Sequence, residues 1–164
     1  MFSYFAVTKY MPKQSAGILV YRTLNNLVQV FLVHPGGPFF RNKDNGNWSV
    51  PKGEYDTSED PLKAAQREFE EETGQTIDGD FITLQPIKYK SGKIVNAWAV
   101  EGKPEPGLVK SNFFEMEWPP RSGKMASFPE VDRAEWFDLK MARQKILPAQ
   151  IPFIDELEQL LSAS

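Results

Sequence analysis

The sequence predicts a single domain of mixed α/β layers, and three observations carry that prediction. Apolar runs of strand character stand early and late in the chain. A sharply capped helix occupies 61–73, and an apolar helical stripe closes the C-terminus. At 164 residues the chain can bury a sizeable core without disulfide or metal staples.

In chain order, residues 1–12 read as an N-terminal extension and 13–164 as the domain. Segments 15–22 and 27–34 are apolar strands around an Asn25-Asn26 turn, a hairpin signal. A loop rich in Gly, Pro and Asn covers 35–47, and 48–50 is a short extended piece. Asp60 before Pro61 is a strong helix start, with Asp as N-cap and Pro at the first helical position. Thr73-Gly74 stops that helix, since glycine tolerates a left-handed cap. Segments 81–89 and 94–101 form a second strand pair around Ser91-Gly92, and 113–118 is another strand. A proline-rich loop runs on to Pro129, and 132–137 is the last strand. Segments 139–145 and 151–161 are helices, the latter with Ile151, Ile154, Leu157, Leu160 and Leu161 on one stripe.

Composition narrows the function. Cysteine is absent, which removes thiolate metal sites and a cysteine nucleophile and fits a cytoplasmic setting. The single histidine excludes multi-histidine zinc centres. The N-terminal MFSYFAVTKY lacks a basic region and a long apolar core, so it does not read as a signal peptide. No 18-residue apolar run exists to span a membrane. A net charge of −3 argues against broad binding to a nucleic-acid backbone.

The helix carries a contradiction. Glu68, Glu70, Glu71 and Glu72 crowd its last turns, where the carbonyl end of the macrodipole favours cations. At about 100° per residue, Leu62, Ala65 and Phe69 form the core-facing side. Glu68, Glu71 and Glu72 fall at i, i+3 and i+4 and share an adjacent face, while Glu70 points elsewhere. Clustered carboxylates repel one another unless cations or protons intervene, and hard oxygen donors in this number suit Mg²⁺ or Mn²⁺. On the helix alone, a solvated acidic face and a metal site are equally good readings.

The wider segment GEYDTSEDPLKAAQREFEEETGQ matches Gly-x5-Glu-x7-Arg-Glu-U-x-Glu-Glu-x-Gly-U, where U is apolar. The matching residues are Gly53, Glu59, Arg67, Glu68, Phe69, Glu71, Glu72 and Gly74, and Gln75 departs from the final apolar position. This run resembles the box of the Nudix hydrolases. The resemblance extends from about Lys13 to the C-terminal helix and implies a Nudix fold, a mixed β-sheet sandwiched between α-helices. It also implies metal-dependent hydrolysis of a nucleoside diphosphate linked to another group. Position by position, Glu68, Glu71 and Glu72 resemble the metal ligands, one of them also serving the attacking water. Gly53 resembles the residue whose carbonyl completes the metal site. Arg67 resembles the arginine that holds the cluster, and Glu59 the acid that orients the network. The implied cofactor is Mg²⁺, with Mn²⁺ as a substitute.

Outside the box, the Pro51-Lys52-Gly53 approach resembles the branch that cleaves dinucleoside polyphosphates such as diadenosine tetraphosphate. Lys52 is the first candidate for holding a phosphate chain, with Arg121 and Lys124 as a basic lid and Arg41 as a further contact. Relatives often use a glutamate beyond the box as general base, and Glu115, Glu117 and Glu130 are the candidates. Phe39, Phe40, Tyr89, Trp98 and Trp118 are candidates to stack a base, although most aromatics in such a domain are core. His34 reads as a structural loop residue before it reads as a catalytic one. The expected partner is a small nucleoside polyphosphate, with neither a membrane nor a stable nucleic-acid complex, on a monomer or homodimer. Alternative readings are a hydrolase of noncanonical nucleoside triphosphates or nucleotide sugars, and a nucleotide-sensing module of the same fold.

Overall fold

A computed structural model describes residues 13–163, so the expected extension at 1–12 lies outside the described residues. The first hairpin joins β1 (Gln14–Leu24) and β2 (Leu27–Pro35). Its turn is formed by Asn25 and Asn26 at φ 51° and 65°, the left-handed pair that a tight hairpin needs. A short β3 (Lys52–Glu54) leads into helix α1 (Pro61–Thr73). The carboxylate of Asp60 accepts from the Lys63 backbone N–H at 3.0 Å and caps the helix start. Gly74, at φ 72°, closes its end by donating to the Glu70 carbonyl at 2.7 Å.

Strands β4 (Ile82–Thr83), β5 (Ile87–Lys88) and β6 (Ile94–Glu101) follow. Then come β7 (Phe113–Glu117), β8 (Met125–Pro129), β9 (Val131–Asp138), α2 (Leu139–Lys145) and α3 (Ile151–Ser162). The main sheet runs β4-β6-β1-β2-β9, with β5 on β6 and β3 on β1. Among the described strands only β1 and β6 pair in parallel, over Gln14–Tyr21 against Ile94–Glu101, so the sheet is mixed. Along one edge β1 changes partners, from β3 at Ser15–Gly17 to β2 from Tyr21 on. Among the described residues β7 and β8 pair only with each other.

Alternation along β1 splits the core into two layers. Ala16, Ile18 and Val20 pack with Ala64, Ala65 and Phe69 of α1. Leu19 faces the other way, with Val30, Leu32 and the α2–α3 residues Ala142, Ile146, Phe153, Ile154 and Leu157. Fully burying a side chain such as Phe69 or Phe153 stabilises by roughly 1.5–3 kcal/mol, so each helix is fixed by a few anchors.

Three segments differ from expectation. The predicted 81–89 strand is two short pieces, because Pro86 cannot donate to a ladder and breaks it. The proline-rich stretch after 118 contains β8, whose register against β7 is complete from Phe113↔Pro129 to Glu117↔Met125. Segment 48–50 makes isolated bridges, Val33↔Ser49 and Trp48↔Ile146, rather than a ladder, and the strand beside it is β3.

Candidate active site

The box folds so that β3 lies against the acidic end of α1. Phe69, wholly buried, fixes the rotation of the helix, and that rotation buries Glu68 while leaving Glu70 exposed. Gly53 is the residue in β3 that makes the approach feasible. A Cβ at Gly53 would fall on the Glu68 carboxylate, so only glycine leaves that carboxylate its space. Gly17 does the same one strand away, where a Cβ would meet the Pro51 carbonyl at 2.8 Å.

Arg67 ties the acids together. Its Nε and Nη2 donate to the two oxygens of Glu59 at 2.8 and 2.9 Å, a bidentate pair. Its Nη1 donates to Glu68 at 2.9 Å and to Glu71 at 3.1 Å. The guanidinium holds the Glu59 carboxyl below the usual carboxylate range, and the hydrogen bonds Arg67 donates to Glu59 hold it firmly charged. Glu68 is pushed up, first by burial and then by the negative charge of Glu71. Glu72 is pushed up to about 8, chiefly by burial, against the opposing pull of the Lys52 charge and backbone N–H. That N–H donates to Glu72 at 3.2 Å. Glu130 is raised as well, by burial and by Glu71.

The donor chemistry fits a hard divalent cation. Three carboxylates press on one another at a helix end with no basic residue in its last turn, and a glycine keeps the space beside them open. Among the described residues no three acidic or histidine side chains are gathered closely enough to hold an ion as they stand. Glu68 and Glu71 are turned onto Arg67 instead.

Beside the acids opens a cleft of about 200 Å³. Its lining combines the charged Lys52, Glu72 and Glu130 with the apolar Val33, Pro35, Phe40, Val131 and Leu147 and the polar Asn47 and Ser49. Of the three glutamates considered outside the box, Glu130 is the one that faces this cleft. Glu115 and Glu117 lie on the exposed face of β7, and Glu117 accepts from the Arg121 N–H at 2.6 Å. Arg41, Arg121 and Lys124 do not line the cleft. The first is on the exposed 36–47 loop and the other two are in the exposed turn between β7 and β8. Among the aromatics, Phe40 reaches the cleft, whereas Phe39 meets Trp118 edge-on at 5.6 Å outside it. Tyr89 and Trp98 pack on the core and are corrected to structural roles; the Tyr89 hydroxyl accepts from Gln150 at 2.8 Å.

The residues least visible in the sequence are Ser49 and Gln150. Gln150 is wholly buried, accepts from the Val50 N–H at 3.0 Å and donates to the Ser49 hydroxyl at 3.0 Å, fixing the strand that leads to Lys52. No local signal marks it, because its partners lie 100 and 101 residues away in the chain.

The NUDIX domain pattern matches residues 11–157. The chain belongs to the NUDIX domain family. Nudix hydrolases generally use divalent metal ions. Among solved structures this Nudix chain is similar to a Caenorhabditis elegans Ap4A hydrolase, at TM-score 0.64 and 21% identity, over 93% of this chain and 99% of that one. It is also similar to the NUDIX domain of Shewanella oneidensis NrtR complexed with ADP ribose, at TM-score 0.65 and 14% identity, over 98% and 97%. Similarity at such identities shows a shared fold. A curated relative, an octanoyltransferase of Myxococcus xanthus, is 29% identical over 135 residues, 82% of this chain. The Nudix chain spans about a third of that relative's length. No helix among the described residues is long and apolar enough to cross a membrane.

Proposed function

We propose that this Nudix protein hydrolyses a phosphoanhydride bond in a nucleoside polyphosphate, with a dinucleoside polyphosphate such as diadenosine tetraphosphate as the preferred class and Mg²⁺ as the ion. The observation that carries the reading is the junction of two unlike surfaces. Glu72 at the end of α1, Glu130 and Lys52 line the same cleft as Phe40 and four aliphatic or proline side chains. Such a seat suits a substrate with a phosphate chain at one end and a flat base at the other.

Glu68, Glu71, Glu72 and the Gly53 carbonyl would hold the ion, which supplies charge neutralisation on the phosphate and a more acidic water. Arg67 and Glu59 keep the carboxylates aimed. Lys52 meets the phosphate chain as a point charge. Glu130, pushed up by burial and facing Glu72, is the base best placed to take a proton from the attacking water. Arg41, Arg121 and Lys124 serve the distal end of a long chain, outside the cleft.

Glu72→Gln should lose most of its turnover with Mg²⁺ and keep its thermal unfolding transition. A Glu72→Gln protein with near wild-type rate would overturn the ligand set. A product-resolved screen across dinucleoside polyphosphates, nucleoside triphosphates, nucleotide sugars and diphosphoinositols tests the substrate. Preference for a nucleotide sugar would move the substrate class, and tight binding without turnover would favour a sensor.

A further inference from the structure

We propose that His34 is a positioning residue for the substrate cleft, its buried ring bridging the Asp132 carboxylate and the Lys43 carbonyl. The link to substrate rests on the reading above; the bridge itself does not.

His34 stands near the end of β2, is wholly buried and is the single histidine of the chain. Its Nε2 lies 2.7 Å from the Lys43 carbonyl oxygen and its Nδ1 lies 2.8 Å from Asp132 Oδ1. A carbonyl can only accept, so Nε2 carries a hydrogen. A neutral ring would then turn a bare Nδ1 lone pair onto a carboxylate at hydrogen-bond distance, which is repulsive. One further proton must sit between them. That proton makes the Nδ1–Asp132 contact a hydrogen bond as well, so the ring is held at both nitrogens. The other charges nearby are Arg133, Asp44 and Lys145. Arg133 is paired with His34 across the strands, and its guanidinium lies over Trp48 at 5.2 Å. Trp48 meets the His34 ring edge-on at 5.1 Å, donates to Asp44 at 2.8 Å, and Asp44 pairs with Lys145.

The bridge matters because of what hangs on Lys43. Among the described residues, the hydrogen bonds of 38–43 are the Phe40 N–H to the Gly37 carbonyl, the Lys43 N–H to the Phe40 carbonyl, and the His34 bridge. The first two stay within the loop, so the bridge alone ties this stretch to the sheet by hydrogen bonding. Phe40, one hydrogen bond from Lys43, is the aromatic of the cleft wall. Loss of the bridge therefore loosens the seat of the nucleoside and leaves the acids of α1 in place.

Nitrogen-15 spectra of the wild-type ring test the bridge directly: both ring nitrogens should show hydrogen-bonded signatures, and a ring with one free nitrogen would overturn the proposal. Asp132→Ala removes one end of the bridge and should raise KM for the nucleotide substrate while kcat stays nearly unchanged; an unchanged KM would overturn the coupling. His34→Phe removes the tie and should raise KM by about tenfold, the equivalent of one hydrogen bond, with kcat nearly unchanged. If no nucleotide is turned over but both ring nitrogens are hydrogen-bonded, the functional reading fails and the bridge stands.

Discussion

At the residue scale, Gly53 and Glu68 compete for one small space, and glycine yields it. Gly53→Ala should push the Glu68 carboxylate off its position and lower turnover by about 10–100-fold, the usual effect of disturbing what orients a ligand. Circular dichroism should show the fold intact, and a fully active Gly53→Ala protein would remove the reason given for this glycine. The acids of α1 stand out in the sequence through helical periodicity, which is local, and Gly53, Glu59 and Arg67 through the resemblance of the box. Ser49 and Gln150 do not, since their hydrogen bonds join segments a hundred residues apart. Choosing Glu130 over Glu115 and Glu117 needed the strand faces, which sequence alone left equal.

Among the elements, α1 is the one whose boundaries the chain spells out. The Asp60 cap, Pro61 and Gly74 all sit where the sequence placed them, and each acts through backbone chemistry within a few residues. Gly74→Ala would force an alanine into the left-handed region and bring its Cβ to 2.8 Å from the Lys110 carbonyl. The expected loss is about 1–2 kcal/mol, measurable by urea unfolding, and an unchanged midpoint would contradict it. Strand β8 escaped the sequence reading because MASFP has no clean alternation and its partner, β7, lies across a turn of prolines. Strand β3 escaped for a different reason, being only three residues long and defined by its pairing to β1.

For the molecule as a whole, one sheet separates two cores of different duty. The α1 side carries the acids, and the α2–α3 side carries bulk. Leu157, wholly buried on the α3 side, tests that separation. Leu157→Ala should cost about 2–5 kcal/mol of stability while kcat well below the melting temperature stays near wild type. A parallel fall in kcat would show that the two layers are coupled. The layered class and the C-terminal helices were readable from apolar spacing. The exchange of partners along β1 was not, because register is settled only when the strands meet. The β7–β8 ribbon, bonded into no other sheet, has a practical meaning for engineering. Randomising outward side chains there, such as Glu115, Ser127 and Met125, leaves the ladders of the main sheet and the box untouched. A library confined to the ribbon can be screened for altered activity with the box acids and the main sheet held constant.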